Sequence, residues 1–133
     1  MTRIGVDTNV LVRLFVTDDE VQHELSKAFF ASVVDDMLVV VDRVVLAEFY
    51  WVLRARYRQP DAAILDIIDM ILERSDIEIE DRALVEAALA VARDGADLSD
   101  ALLATANQRN GCRHTVTFDR QAAKAISSMS LLS

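Results

Sequence analysis

Short apolar runs alternate with longer helical patterns along almost the whole chain, and only three glycines and one proline interrupt them. That alternation is the strongest constraint on the fold. Residues 4–6, 38–41, 77–79 and 115–118 are brief β-branched or alternating segments and read as strands. Residues 8–15, 19–34, 43–57, 61–73, 82–93 and 99–109 carry helical patterns, a last helix is expected over 120–126, and 129–132 could add an edge strand. Short apolar strands separated by helices of this length predict an α/β fold with a mainly parallel sheet covered on both faces. With no linker, repeat or low-complexity segment in 133 residues, a single domain over 1–133 is expected.

Composition narrows the setting. The chain is 53% apolar and 27% charged, and no apolar stretch approaches the roughly 20 residues of a membrane helix. Met1-Thr2-Arg3 leads at once into a strand and lacks the apolar region of a signal peptide, so a cytoplasmic protein that does not engage a membrane is expected. Cys112 is the single cysteine and has no Cys or His beside it at zinc-ligand spacing; it reads as a small filler. A net charge of −8 argues against a broad positive surface that holds nucleic acid. It leaves a nuclease open, because metal-binding carboxylates contribute to that total and a bound cation reverses the local field.

Four acids adjoin apolar runs: Asp7, Glu48, Asp100 and Asp119. Asp7 follows the first strand and Asp119 the last clear one, the edge at which ligands of open α/β sheets bind. Either could equally cap the helix that follows it. In Asp97-Leu98-Ser99-Asp100, Asp97 reads as the cap of a capping-box-like start, while Leu103 and Ala104 at i+3 and i+4 place Asp100 on an apolar face. No capping role reaches Glu48. Its neighbours at i−4, i−3, i+3 and i+4 are Val44, Val45, Trp51 and Val52, which predicts a buried carboxylate needing either an arginine partner or a cation. Carboxylates suit Mg²⁺, or Mn²⁺, and crowding several of them is unfavourable without one.

Other chemistries lack their residues. His23 and His114 have no partner for a zinc site, Ser99 has no glycine-flanked elbow, and no Gly-rich Lys-Ser/Thr phosphate loop occurs. The aromatics Phe49, Tyr50 and Trp51 are many for one core-facing stripe; ordinary packing is their expected role, with a partner surface formed by part of the group as the alternative. A haloacid-dehalogenase phosphatase would want a second Asp where Asn9 stands. A response-regulator receiver would want a Lys after a strand, whereas Lys124 lies in the last helix.

The opening Val6-Asp7-Thr8-Asn9-Val10-Leu11, a mid-helix Glu48, the stretch Asp97-Leu98-Ser99-Asp100-Ala101-Leu102-Leu103-Ala104 and Thr117-Phe118-Asp119 together resemble the PIN-domain ribonucleases, and among them the VapC-like toxins of toxin–antitoxin pairs. The resemblance runs the length of the chain. It implies a three-layer α/β/α domain, Mg²⁺-dependent endoribonuclease activity on RNA, a homodimer, and a cognate small antitoxin that enters the active-site groove. On this resemblance Asp7 and Asp100 would be the direct metal ligands. Glu48 and Asp119 would complete the catalytic set, with Thr117, Thr8 or Asn9 orienting ligands. The alternative is a PIN-like module that binds RNA or protein without cutting.

Overall fold

The computed structural model describes residues 1–133. The chain divides into two compact units, Met1–Glu80 and Asp81–Ser133.

In the first unit, β1 (Thr2–Gly5), β2 (Met37–Val41) and β3 (Ile77–Ile79) form a parallel sheet in the order β1-β2-β3. The helices between them are α1 (Thr8–Phe15), α2 (Glu20–Ala31), α3 (Arg43–Ala55) and α4 (Asp61–Glu73). The most continuous β-branched run, β2, takes the centre, where Val39 and Val41 are fully buried. An edge position falls to β1, which begins two residues earlier than its apolar pattern because Thr2 N–H donates to Asp36 O (2.8 Å) and Thr2 pairs with Met37. Helix α1 packs on α2 and α3, and the Phe15 and Phe49 rings meet edge to face at 5.9 Å between centroids. Arg13 at the end of α1 donates to Gln22 Oε1 (2.9 Å), to Tyr57 Oη (2.8 Å) and to Asp18, tying the ends of three helices.

The second unit holds α5 (Arg82–Arg93), α6 (Leu98–Arg109), β4 (Thr115–Thr117), α7 (Arg120–Ala125) and β5 (Met129–Leu131). Helices α5 and α6 pack on each other, and Leu84, Val85, Ala88, Leu98 and Ala101 are buried almost completely. Strands β4 and β5 form a two-stranded parallel sheet, with α7 in the connection. Every strand pair is therefore parallel, as the alternation predicts, and the pairs fall into two sheets.

Aspartates start most of the helices. Asp7, Asp19, Asp42, Asp97 and Asp119 each occupy the N-cap and accept a backbone N–H of the first turn, satisfying donors that have no partner within the helix. No helix is long and apolar enough to cross a membrane.

Candidate active site

Asp7 stands at the carboxyl end of β1, one residue beyond Val6, at the mouth of a cleft of ≈ 350 Å³. Ile4, Val6, Val10, Leu25 and Phe29 give the cleft apolar walls, and Asp7 supplies its carboxylate. A second cleft of ≈ 250 Å³ shares Val10, Leu25 and Ser26 with it and extends towards Asn9 and Arg13. The capping role of Asp7 is observed, and it leaves the other carboxylate oxygen open. Its Oδ1 accepts from Thr8 N (2.7 Å), which caps α1, and its Oδ2 remains unengaged. Beside it, the Thr8 side chain is 5% exposed and its hydroxyl has no hydrogen-bond partner, a buried polar atom left without compensation.

Asp119 repeats the arrangement in the second unit. Its Oδ1 accepts from Gln121 N (2.9 Å) and Ala122 N (3.1 Å) at the start of α7, leaving Oδ2 free. Its own N–H donates to Thr117 Oγ1 (3.0 Å), so Thr117 fixes the turn that presents the carboxylate. Asp97 caps α6 through Asp100 N (3.0 Å), as the sequence predicts, and Asp100 lies half-buried in the first turn. Leu103, one of the two neighbours that argued for an inward Asp100, is 52% exposed, while Ala104 is buried.

Glu48 requires a correction. The apolar neighbours that predict its burial do not share one buried face. Val45 is buried, whereas Val44 and Trp51 are 66% and 63% exposed and Glu48 is exposed with them. At 3.6 residues per turn the charged residues of α3, Arg43, Glu48 and Arg54, fall within one arc of about 140°, and packing buries Val45, Leu46, Phe49, Tyr50 and Leu53 on the opposite side. No arginine pairs with Glu48, and as an exposed carboxylate it needs neither an arginine nor a cation to offset burial. Of the three aromatics that follow it, Phe49 and Tyr50 are buried and Trp51 faces out.

The histidines stay outside any metal-ligand set: His23 Nδ1 is hydrogen-bonded to Arg13 O (2.7 Å), and His114 is exposed beside no other ligand. Cys112 is exposed and unpaired. Neither unit gathers three or more acidic, histidine or cysteine side chains into a metal-holding group. Each offers two of the four acids. The donors nevertheless fit Mg²⁺ in kind, because it is held through one or two carboxylates together with water and substrate phosphate, and two of these carboxylates keep an unengaged oxygen.

A family model described as PIN domain matches residues 4–126, a span that takes in Asp7, Glu48, Asp100 and Asp119. The chain belongs to the PIN-domain family. Among solved structures, this PIN domain is similar to the crystal structure of VapC20 from Mycobacterium tuberculosis, described as a toxin that cleaves the sarcin–ricin loop. The two are 22% identical over 92% of this chain and 94% of that one, with a TM-score of 0.46. No curated protein matches the chain.

Proposed function

We propose that this PIN domain is a metal-dependent endoribonuclease that hydrolyses RNA phosphodiester bonds and acts as the toxin of a toxin–antitoxin pair. The observation that carries the reading is the family match across all four acids, combined with two helix-capping aspartates that each leave one oxygen free. In this reading residues 1–133 act as one catalytic domain. Asp7 and Asp100 bind a divalent ion, Mg²⁺ or Mn²⁺, which when bound would offset the carboxylate charge, polarise the phosphate oxygens and acidify a water.

The chain's own residues do the positioning. The cap bond to Thr8 N holds the Asp7 carboxylate in one orientation, and the doubly bonded Oδ1 of Asp119 does the same for its neighbouring oxygen. Glu48, exposed on α3, can orient the attacking water and take its proton as the water oxygen bonds to phosphorus and the ester P–O bond breaks. The Thr8 hydroxyl, otherwise uncompensated, is available to a water beside Asp7. RNA is the substrate, a small antitoxin the regulatory partner, a homodimer the working assembly and the cytoplasm its site of action.

Purified protein incubated with RNA, with and without EDTA, tests the proposal. Fragmentation abolished by the chelator and restored by excess Mg²⁺ is the expected result. A second reading, a PIN module that binds without cutting, draws on the lack of a three-ligand group within either unit. RNA bound but left intact at saturating Mg²⁺ and Mn²⁺ would establish it instead.

A further inference from the structure

The second unit carries an exposed sheet face beside Asp119 that the site described above does not use. In the register of β4 and β5, Val116 pairs with Ser130 and both are exposed. The ladder continues beyond the strands, because Leu132 N–H donates to Thr117 O (2.8 Å). Phe118 follows directly on β4, in the bend between the strand and α7. Phe118 is 80% exposed, next to the candidate catalytic Asp119, and the bond from Asp119 N to Thr117 Oγ1 holds the turn between them.

Charge supplies an independent observation. The chain is acidic by 22 residues to 14, yet between Cys112 and Lys124 stand Arg113, Arg120 and Lys124 against the single acid Asp119. These three cations are exposed and make no ion pair. Elsewhere arginines are generally engaged, Arg3 with Glu78, Arg43 with Glu80 and Arg109 with Asp81.

We propose that this face binds single-stranded RNA, with Phe118 stacking on a nucleobase next to the bond that is cut while Arg113, Arg120 and Lys124 hold the flanking phosphates. An exposed aromatic ring at the end of a strand, with unpaired cations just before that strand and in the helix that follows, matches a ligand with both a π-face and a backbone charge. The base must be unstacked to reach the ring, which selects single strands over duplex. This inference rests on the nuclease reading, whose Asp119 adjoins Phe118 in the chain, and it assigns to Phe118 a binding role that the acids cannot fill.

The test measures equilibrium binding, by fluorescence anisotropy, of a labelled single-stranded RNA and of a duplex of equal length. It uses Asp7→Asn protein in Mg²⁺ so that the strand stays intact. Adding Phe118→Ala should raise Kd for the single strand about 5- to 150-fold, which is about 1–3 kcal/mol at 1.4 kcal/mol per tenfold. Phe118→Trp, which keeps a stacking ring, should bind within a few-fold of the parent, and thermal melts should match for all three. Replacing the three cations with alanine should flatten the salt dependence of log K by about 2. Equal binding by the Phe118→Ala protein, or equal losses with Ala and Trp, would overturn the inference while leaving the nuclease reading intact whenever wild-type protein cuts RNA. Phe118→Ala that altered only self-association would reassign the face to a protein interface and equally overturn it. Wild-type protein that neither cuts nor binds RNA would remove both readings.

Discussion

At Asp7, capping engages one oxygen and the proposed ligation would use the other, so the two roles separate by substitution. Asparagine caps a helix about as well as aspartate but is a weaker ligand for a hard cation. Asp7→Asn should therefore melt within about 1 kcal/mol of the wild type while cutting RNA at least about 100-fold more slowly, a typical effect for one preorganised electrostatic group. Calorimetry and a cleavage time course check both halves. Thr8 offers a complementary case, because its buried hydroxyl has no partner. Thr8→Val keeps the branched shape and removes the uncompensated group, so stability should rise by about 1 kcal/mol. An unchanged or lower melting temperature would mean that the hydroxyl is already satisfied.

At the scale of elements, two loop features set local stability. Following α4, Arg74 holds Asp76 through Nε to Oδ1 (2.9 Å) and Nη2 to Oδ2 (2.7 Å), and these bonds lower the Asp76 pKa below its ordinary value while raising that of Arg74. A carboxyl with a lowered folded pKa contributes stability fully above its unfolded value, about 3.9, and loses the contribution as pH falls through the folded one. The stability gap between wild type and Arg74→Ala should thus be widest near neutral pH and narrow below about pH 4; melting curves at pH 7 and pH 3 measure it. After α3, Arg58 adopts φ 53°, the left-handed region that favours glycine. No contact of its side chain offsets this, so Arg58→Gly should raise stability by about 0.5–1 kcal/mol, read as a higher urea midpoint at unchanged slope.

Helix boundaries were legible in the sequence because they are written locally, in a capping aspartate or a proline before the run and a regular spacing behind it. Helices α1, α4 and α5 fall where the pattern places them. Burial on α3 was only partly legible, since its charged residues mark the exposed arc while the neighbours of Glu48 at i±3 and i±4 straddle the edge of the buried one. Of its four apolar neighbours, packing leaves Val44 and Trp51 in solvent and buries Val45. That the Asp7 cap leaves one oxygen free was equally hidden, because sequence names a residue and capping is decided atom by atom.

For the whole molecule, which carries an excess of acids over bases, the proposed cation would act on stability as well as on catalysis. A ligand that binds the folded chain alone adds about 2.7 kcal/mol at 100 times its Kd. Mg²⁺ should therefore raise the melting temperature of the wild type, with EDTA reversing the gain and Asp7→Asn blunting it. The most direct measurement is a titration of the protein with Mn²⁺, following the free ion by electron paramagnetic resonance. The account predicts saturable binding that weakens at least about tenfold, or about 1.4 kcal/mol, in both Asp7→Asn and Asp100→Asn. Equal affinity in wild type and both variants would contradict it.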